Sequence, residues 1–154
     1  MRRLILPAVG LLILGIVTQA AVSARGQGPV DQAGWFLVPE DEVLKLVYGQ
    51  PNSDLIGLML ICTPGDLNIR LYGDIEPDLD SLKTVTDGPT AMDPLSHGAA
   101  WSMSLSADDP GLWLLADKGY LPIRTEMGRG RMEATDQEQQ LANLFLNACT
   151  RQLA

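Results

Sequence analysis

Asp74, Glu76, Asp78 and Asp80 place a carboxylate at every second position, the spacing with which a calcium-binding loop presents ligands. The rest of that pattern is missing. Leu79 stands at the sixth position, where the loop needs glycine, and Val85 at the twelfth, where it needs a bidentate glutamate. Pro77 stiffens the middle of the run. A solvated acidic turn is the expectation, with no metal assigned. His97 is the only histidine, and no ligand spacing for zinc surrounds it. Ser96, Ser102 and Ser104 lie near His97 along the chain, but a hydrolytic triad needs nucleophile, base and orienting acid to converge in space. The Gly-x-Ser-x-Gly elbow is missing too. Neither a phosphate-binding glycine loop nor a dinucleotide fingerprint occurs. The sequence names no catalytic residue and no cofactor, and the expectation is a protein that is not an enzyme.

Recognition is the remaining chemistry. Trp35, Trp101 and Trp113 each sit in an apolar pattern, which predicts core packing, with carbohydrate stacking as the alternative. Gly128-Arg129-Gly130-Arg131 reads as a solvated, flexible basic spacer, with an anionic contact as the alternative. The turn-rich run Tyr48, Gly49, Gln50, Pro51, Asn52, Ser53 and Asp54 is the other candidate. Together with Asp74, Glu76, Asp78 and Asp80 it forms the expected binding surface, on one loop side of the domain.

Strands dominate the elements that must position these loops. Gly34 to Val38 reads as a first strand, ended by Pro39. Glu40 to Tyr48 fits both a helical stripe and a strand. Leu55 to Cys62 is apolar on both parities, the pattern of a strand covered on both faces. Leu67 to Tyr72 alternates with Leu67, Ile69 and Leu71 inward, so these two strands predict a hairpin. Leu82 to Thr86 is a further strand candidate, and Gly88 to Gly98 reads as loop. Ala99 to Ser106 alternates strictly, with Trp101, Met103 and Leu105 against three serines. Asp108-Asp109-Pro110 looks like a helix start and Gly119 its stop, although a hairpin turning at 117–119 competes. Tyr120 to Met127 predicts a last strand. Thr135 and Glu138 have capping-box spacing, and Leu141, Leu144, Phe145, Ala148 and Cys149 then recur as a helical stripe. The fold class is mainly β (α+β), an antiparallel sheet or small sandwich with a C-terminal helix, 136–151, packed on it.

The N-terminus carries an address. Arg2 and Arg3 precede an apolar run from Leu4 to Val17, and Val22 and Ala24 fit the small positions of a cleavage site. Residues 1–24 read as a secretory signal peptide, with an uncleaved anchor as the alternative. Residues 25–33 read as a flexible segment and 34–154 as one β-rich domain. A periplasmic or secreted location follows, with no stable membrane insertion after cleavage. That location makes a Cys62–Cys149 disulfide the expectation for the two cysteines, against two buried thiols. The chain carries a net charge of −8, and the signal contributes two arginines and no acid. The exported part is therefore more acidic still, which disfavours nucleic acid and anionic surfaces and favours a cationic partner.

Trp35, the run Tyr48 to Asp54, the strand ending at Cys62 and the helix ending at Cys149 are together similar to small exported proteins of proteobacteria. The layout resembles the envelope accessory proteins associated with type VI secretion. The resemblance implies an antiparallel β domain with a terminal helix, and it implies no catalytic residue. The functional expectation is a non-catalytic envelope binding or accessory module whose partner is an envelope protein or a cationic protein. The alternative is an inhibitor of a cationic cell-wall-degrading enzyme such as a lysozyme.

Overall fold

The computed structural model describes residues 33–91 and 100–151. The expected signal peptide, nearly all of the 25–33 segment, Ser96 and His97 lie outside the described residues.

Six strands form one antiparallel sheet: β1 (Gly34–Glu40), β2 (Val43–Gly49), β3 (Ile56–Cys62), β4 (Asn68–Gly73), β5 (Val85–Ala91) and β6 (Trp101–Ser106). Their spatial order is β1-β2-β3-β4-β6-β5. Helix α1 (Pro110–Lys118) leads to a separate hairpin of β7 (Tyr120–Thr125) and β8 (Gly128–Glu133), and helix α2 (Asp136–Thr150) closes the chain. The ambiguous run 40–48 contains no helix: Glu40 ends β1, residues 41–42 turn the chain, and every residue from Val43 to Gly49 pairs across to β1.

Alternation decides which face is dry. Leu46, Leu58, Leu60, Ile69, Leu71, Met103 and Leu105 are at most 2 % exposed and share the face that packs with the helices. Burying side chains of this size contributes roughly 1.5–3 kcal/mol each. On α2 the buried stripe is Ala142, Phe145, Leu146 and Cys149, whereas Leu144, expected inward, is 60 % exposed. Leu67, also expected inward, precedes β4 and is exposed. The opposite face of the sheet is not covered as the apolar run of β3 suggested: Met59 and Ile61 are only half-buried there.

Three further expectations are corrected. Pro39 does not end β1, which runs on to Glu40. It stands on an edge strand, at the same parity as Trp35, whose outward N–H donates to Glu138 Oε1 at 2.7 Å. A missing N–H at that parity removes no ladder bond. Gly88 to Ala91 is strand rather than loop, the outer edge of the sheet, with its register broken between Val85 and Thr90. Gly128 to Arg131 is no flexible spacer, because it is most of β8, paired residue by residue with β7.

Two interactions lock the helices down. Cys62 and Cys149 are joined in a disulfide, Cα atoms 6.0 Å apart and 87 positions apart in the chain, so α2 is tied to a central strand. Asp109, fully buried, caps α1 by accepting from the Gly111 N–H at 2.8 Å. Its other oxygen accepts from the N–H groups of Lys83 and Thr84, both at 2.7 Å, and from the Thr84 hydroxyl at 2.8 Å. One carboxylate thus fastens α1 to the strand-entry segment before β5. Gly119, at φ 74, ends α1 in the left-handed conformation that glycine adopts without cost.

Two stability outcomes follow. Replacing both cysteines by alanine lowers unfolding free energy by about 2–5 kcal/mol, the range for a native disulfide closing a long loop. Asp109→Ala costs about 3 kcal/mol, because three backbone donors, one buried and two part-buried, lose their acceptor. Urea unfolding of each variant under oxidising conditions measures both.

Candidate functional site

The two loops picked out as a binding surface do meet, but only in part. A cleft of about 410 Å³ opens at the start of β3 and is lined by Tyr48, Gly49, Asp54, Leu55, Ile56, Gly57, Asp74 and Ile75, among others. The turn between β2 and β3 builds one wall. Gln50 N–H donates to the Leu55 carbonyl at 3.0 Å, the Ser53 hydroxyl donates to the Gln50 carbonyl at 2.9 Å, and Leu55 N–H donates back to Ser53 Oγ at 3.1 Å. Asn52 holds φ 60, a left-handed conformation that asparagine tolerates well. Ser53 and Asn52 are therefore scaffolding for the turn, while Asp54 and Leu55 are presented by it.

The second wall is the chain leaving β4. Asp74 and Ile75 both donate their N–H groups to the Gly57 carbonyl, at 3.1 and 3.0 Å. This approach requires small residues. A Cβ at Gly73 would run into the Gly57 carbonyl, and one at Gly49 into the Leu55 carbonyl. Behind the cleft, Trp35 packs on Tyr48 with ring centroids 5.3 Å apart. Trp35 and Trp101 are core residues, and Trp113 donates its indole N–H to the Ala107 carbonyl at 3.0 Å.

The cleft combines apolar surface with unneutralised charge. Leu55 is 68 % exposed and Ile56 41 % exposed. Asp54 and Asp74 are exposed, and among the described residues neither carboxylate has an ion-pair partner. Two exposed carboxylates beside exposed aliphatic side chains can seat a group that is cationic at one end and apolar along its stem.

The rest of the acidic run goes elsewhere, and the expectation of a solvated acidic turn is corrected. Glu76 to Asp78 lies along the free edge of β7: Arg124 N–H donates to the Glu76 carbonyl at 2.8 Å, and Asp78 N–H donates to the Pro122 carbonyl at 3.0 Å. That docking buries Asp78 to 5 % exposure. Its carboxylate is matched by Arg129 Nε at 3.1 Å and Arg124 at 3.4 Å, and Asp80 joins the same two arginines. The alternating acids and the basic hairpin are two halves of one ion-pair network. Arg131 stands outside it, its guanidinium 4.4 Å from the centre of the Tyr120 ring. Among the described residues no three His, Cys, Asp or Glu side chains form a metal-ligating group. Ser102 and Ser104 lie on β6, facing away from the helices. Arg70 donates to the Tyr72 hydroxyl at 2.9 Å, which raises a guanidinium pKa that is already high and leaves the group charged at every working pH.

Leu55, Ile56, Gly57 and Ile75 were not legible as site residues. The first two sit in an apolar run that reads as core strand, and only Gly57, interrupting that run, marks the place where another backbone comes close.

No protein-family model matches the chain, and no curated protein or solved structure does.

The two kinds of acid respond differently to neutralisation. Asp54→Asn and Asp74→Asn, singly or together, leave unfolding free energy within about 0.5 kcal/mol, as surface substitutions do. Asp78→Ala lowers it by about 1–3 kcal/mol, because the two arginines lose a buried acceptor. Chemical denaturation of the three variants reads the contrast.

Proposed function

We propose that this chain is an exported envelope protein that works as a binding or accessory module, engaging a protein partner through the cleft between the 49–57 turn and Asp74–Ile75. The observation that carries the reading is the cleft itself, where exposed Leu55 and Ile56 stand beside two carboxylates that no described cation pairs with. A rigid turn and a disulfide-tied sheet hold that surface in place without help from a ligand. The leader-like N-terminus supports export, and the Cys62–Cys149 disulfide is consistent with an oxidising compartment. No helix among the described residues is long and apolar enough to cross a membrane. The similarity of layout to type VI secretion-associated envelope accessory proteins points the same way.

The same unneutralised carboxylates favour a second reading, inhibition of a cationic wall-degrading enzyme. The identity of the captured partner separates the two.

A photocrosslinking residue at position 55, tested in living cells, captures one dominant partner, and capture falls at least severalfold when Asp54 and Asp74 are both asparagine. The same crosslinker at position 144, exposed on α2, captures none of it. Equal capture from both positions would show that the cleft is not the binding surface.

A further inference from the structure

We propose that the cleft seats a lysine or arginine side chain of the partner protein, carried beside an apolar residue on an exposed segment. This rests on the reading of the cleft as the binding surface and specifies what enters it.

Charge complementarity is the first support. Three described cations are committed elsewhere, Lys45 to Glu40, and Arg124 and Arg129 to Asp78 and Asp80. Asp54 and Asp74 are left on opposite walls of one cleft, with no described cation between them. A chain with net charge −8 adds a long-range attraction for a basic partner and a barrier against an acidic one.

The second support is shape and polarity. Ile56 and Ile75 line the same cleft as the two carboxylates and supply its aliphatic surface, and Leu55 is largely exposed beside them. A basic side chain has a matching division, a methylene stem that packs on aliphatic surface and a charged head that stays near water and acid. A neutral apolar side chain alone would leave both carboxylates facing it unpaired, and an acidic one would be repelled. A neighbouring apolar residue on the partner gives Leu55 its cover, so the recognised element is a basic–apolar pair rather than an isolated charge.

The third support is rigidity. The walls are held by backbone hydrogen bonds from Gln50, Asp74 and Ile75, so little ordering is required on binding. The chain also enters the described structure at the cleft, since Ala33 lines it. The chain's own Arg25 lies eight positions earlier and is a competing occupant that the experiment must separate.

The test is an NMR titration of isotope-labelled protein beginning at Arg25 with acetyl-Leu-Arg-Leu-amide, compared with acetyl-Leu-Gln-Leu-amide. The arginine peptide is expected to shift the amide signals of Leu55, Gly57 and Ile75 saturably. Its affinity is expected to fall roughly fivefold or more when arginine becomes glutamine, when Asp54 and Asp74 become asparagine, and when salt is raised. Equal binding of the two peptides would overturn the proposal, as would shifts centred on Met59 and Ile61 instead. A severalfold gain in affinity for Arg25→Gln would overturn it in favour of the chain's own arginine as occupant. Shifts of the same signals with protein concentration alone would overturn it in favour of a second copy. Crosslinking from position 55 that persists while the peptide fails would leave the binding surface standing and refute only the basic side chain. Failure of both would remove the surface itself.

Discussion

The covalent tie between Cys62 and Cys149 is the constraint around which this fold is arranged. A single antiparallel sheet must cover one apolar face, and the chain saves that cover for its end, in α2. The helix returns across 87 positions to meet β3, and the disulfide removes much of the entropy the unfolded chain would gain by letting it go. Everything between the two cysteines, α1 and the β7–β8 hairpin included, is thereby closed into one loop. Glu138 reinforces the arrangement from the other end of α2. One of its oxygens takes the Trp35 N–H on the edge strand, and the other takes the Thr135 N–H at 2.7 Å to complete the capping box. The last element thus secures the first, and an exposed sheet edge loses an unpaired donor.

Cys62 sits at the end of β3, and the cleft sits at its beginning. At the usual rise of a strand these are roughly 20 Å apart. The pocket at the tied end sets the cation of Arg70 beside the carboxylate of Asp66, and the cleft end carries two carboxylates and no covalent tie. Rigidity at the cleft comes from local means instead: a turn closed on itself by Ser53, and a Gly57 carbonyl shared by two N–H donors. Acids divide in the same way. Asp109 and Asp78 are buried and fully engaged, fastening α1 and the hairpin to the sheet. Asp54 and Asp74 are exposed and free of described cations, and so remain open to a partner.

Features whose cause lies within a few residues were legible in the sequence. The capping box at Thr135 and Glu138, the stop at Gly119, the alternation of Trp101 to Ser106 and the pairing of the only two cysteines all stand in the structure. Features that depend on distant partners were not. Asp78 and Arg129 are 51 positions apart, and nothing local in either segment signals that they neutralise one another. Pro39 reads as a terminator unless its strand is known to be an edge. The apolar run of β3 reads as doubly covered unless the single-layer sheet is known. The cleft was legible by half: turn composition located Gly49 to Asp54, but the aliphatic wall of Leu55, Ile56 and Ile75 was hidden within strand-like sequence.

Export and disulfide closure are one claim in physical terms, since the tie that holds the fold forms only where thiols are oxidised. The most direct test is tryptic mapping, without reduction and after alkylation, of the protein recovered from the cells that make it and from their medium. The expected product begins at Arg25, is found in the envelope or medium, and yields the peptides Leu46–Arg70 and Met132–Arg151 joined through Cys62 and Cys149. A product that retains Met1, stays in the cytoplasm and carries both cysteines alkylated would contradict the claim.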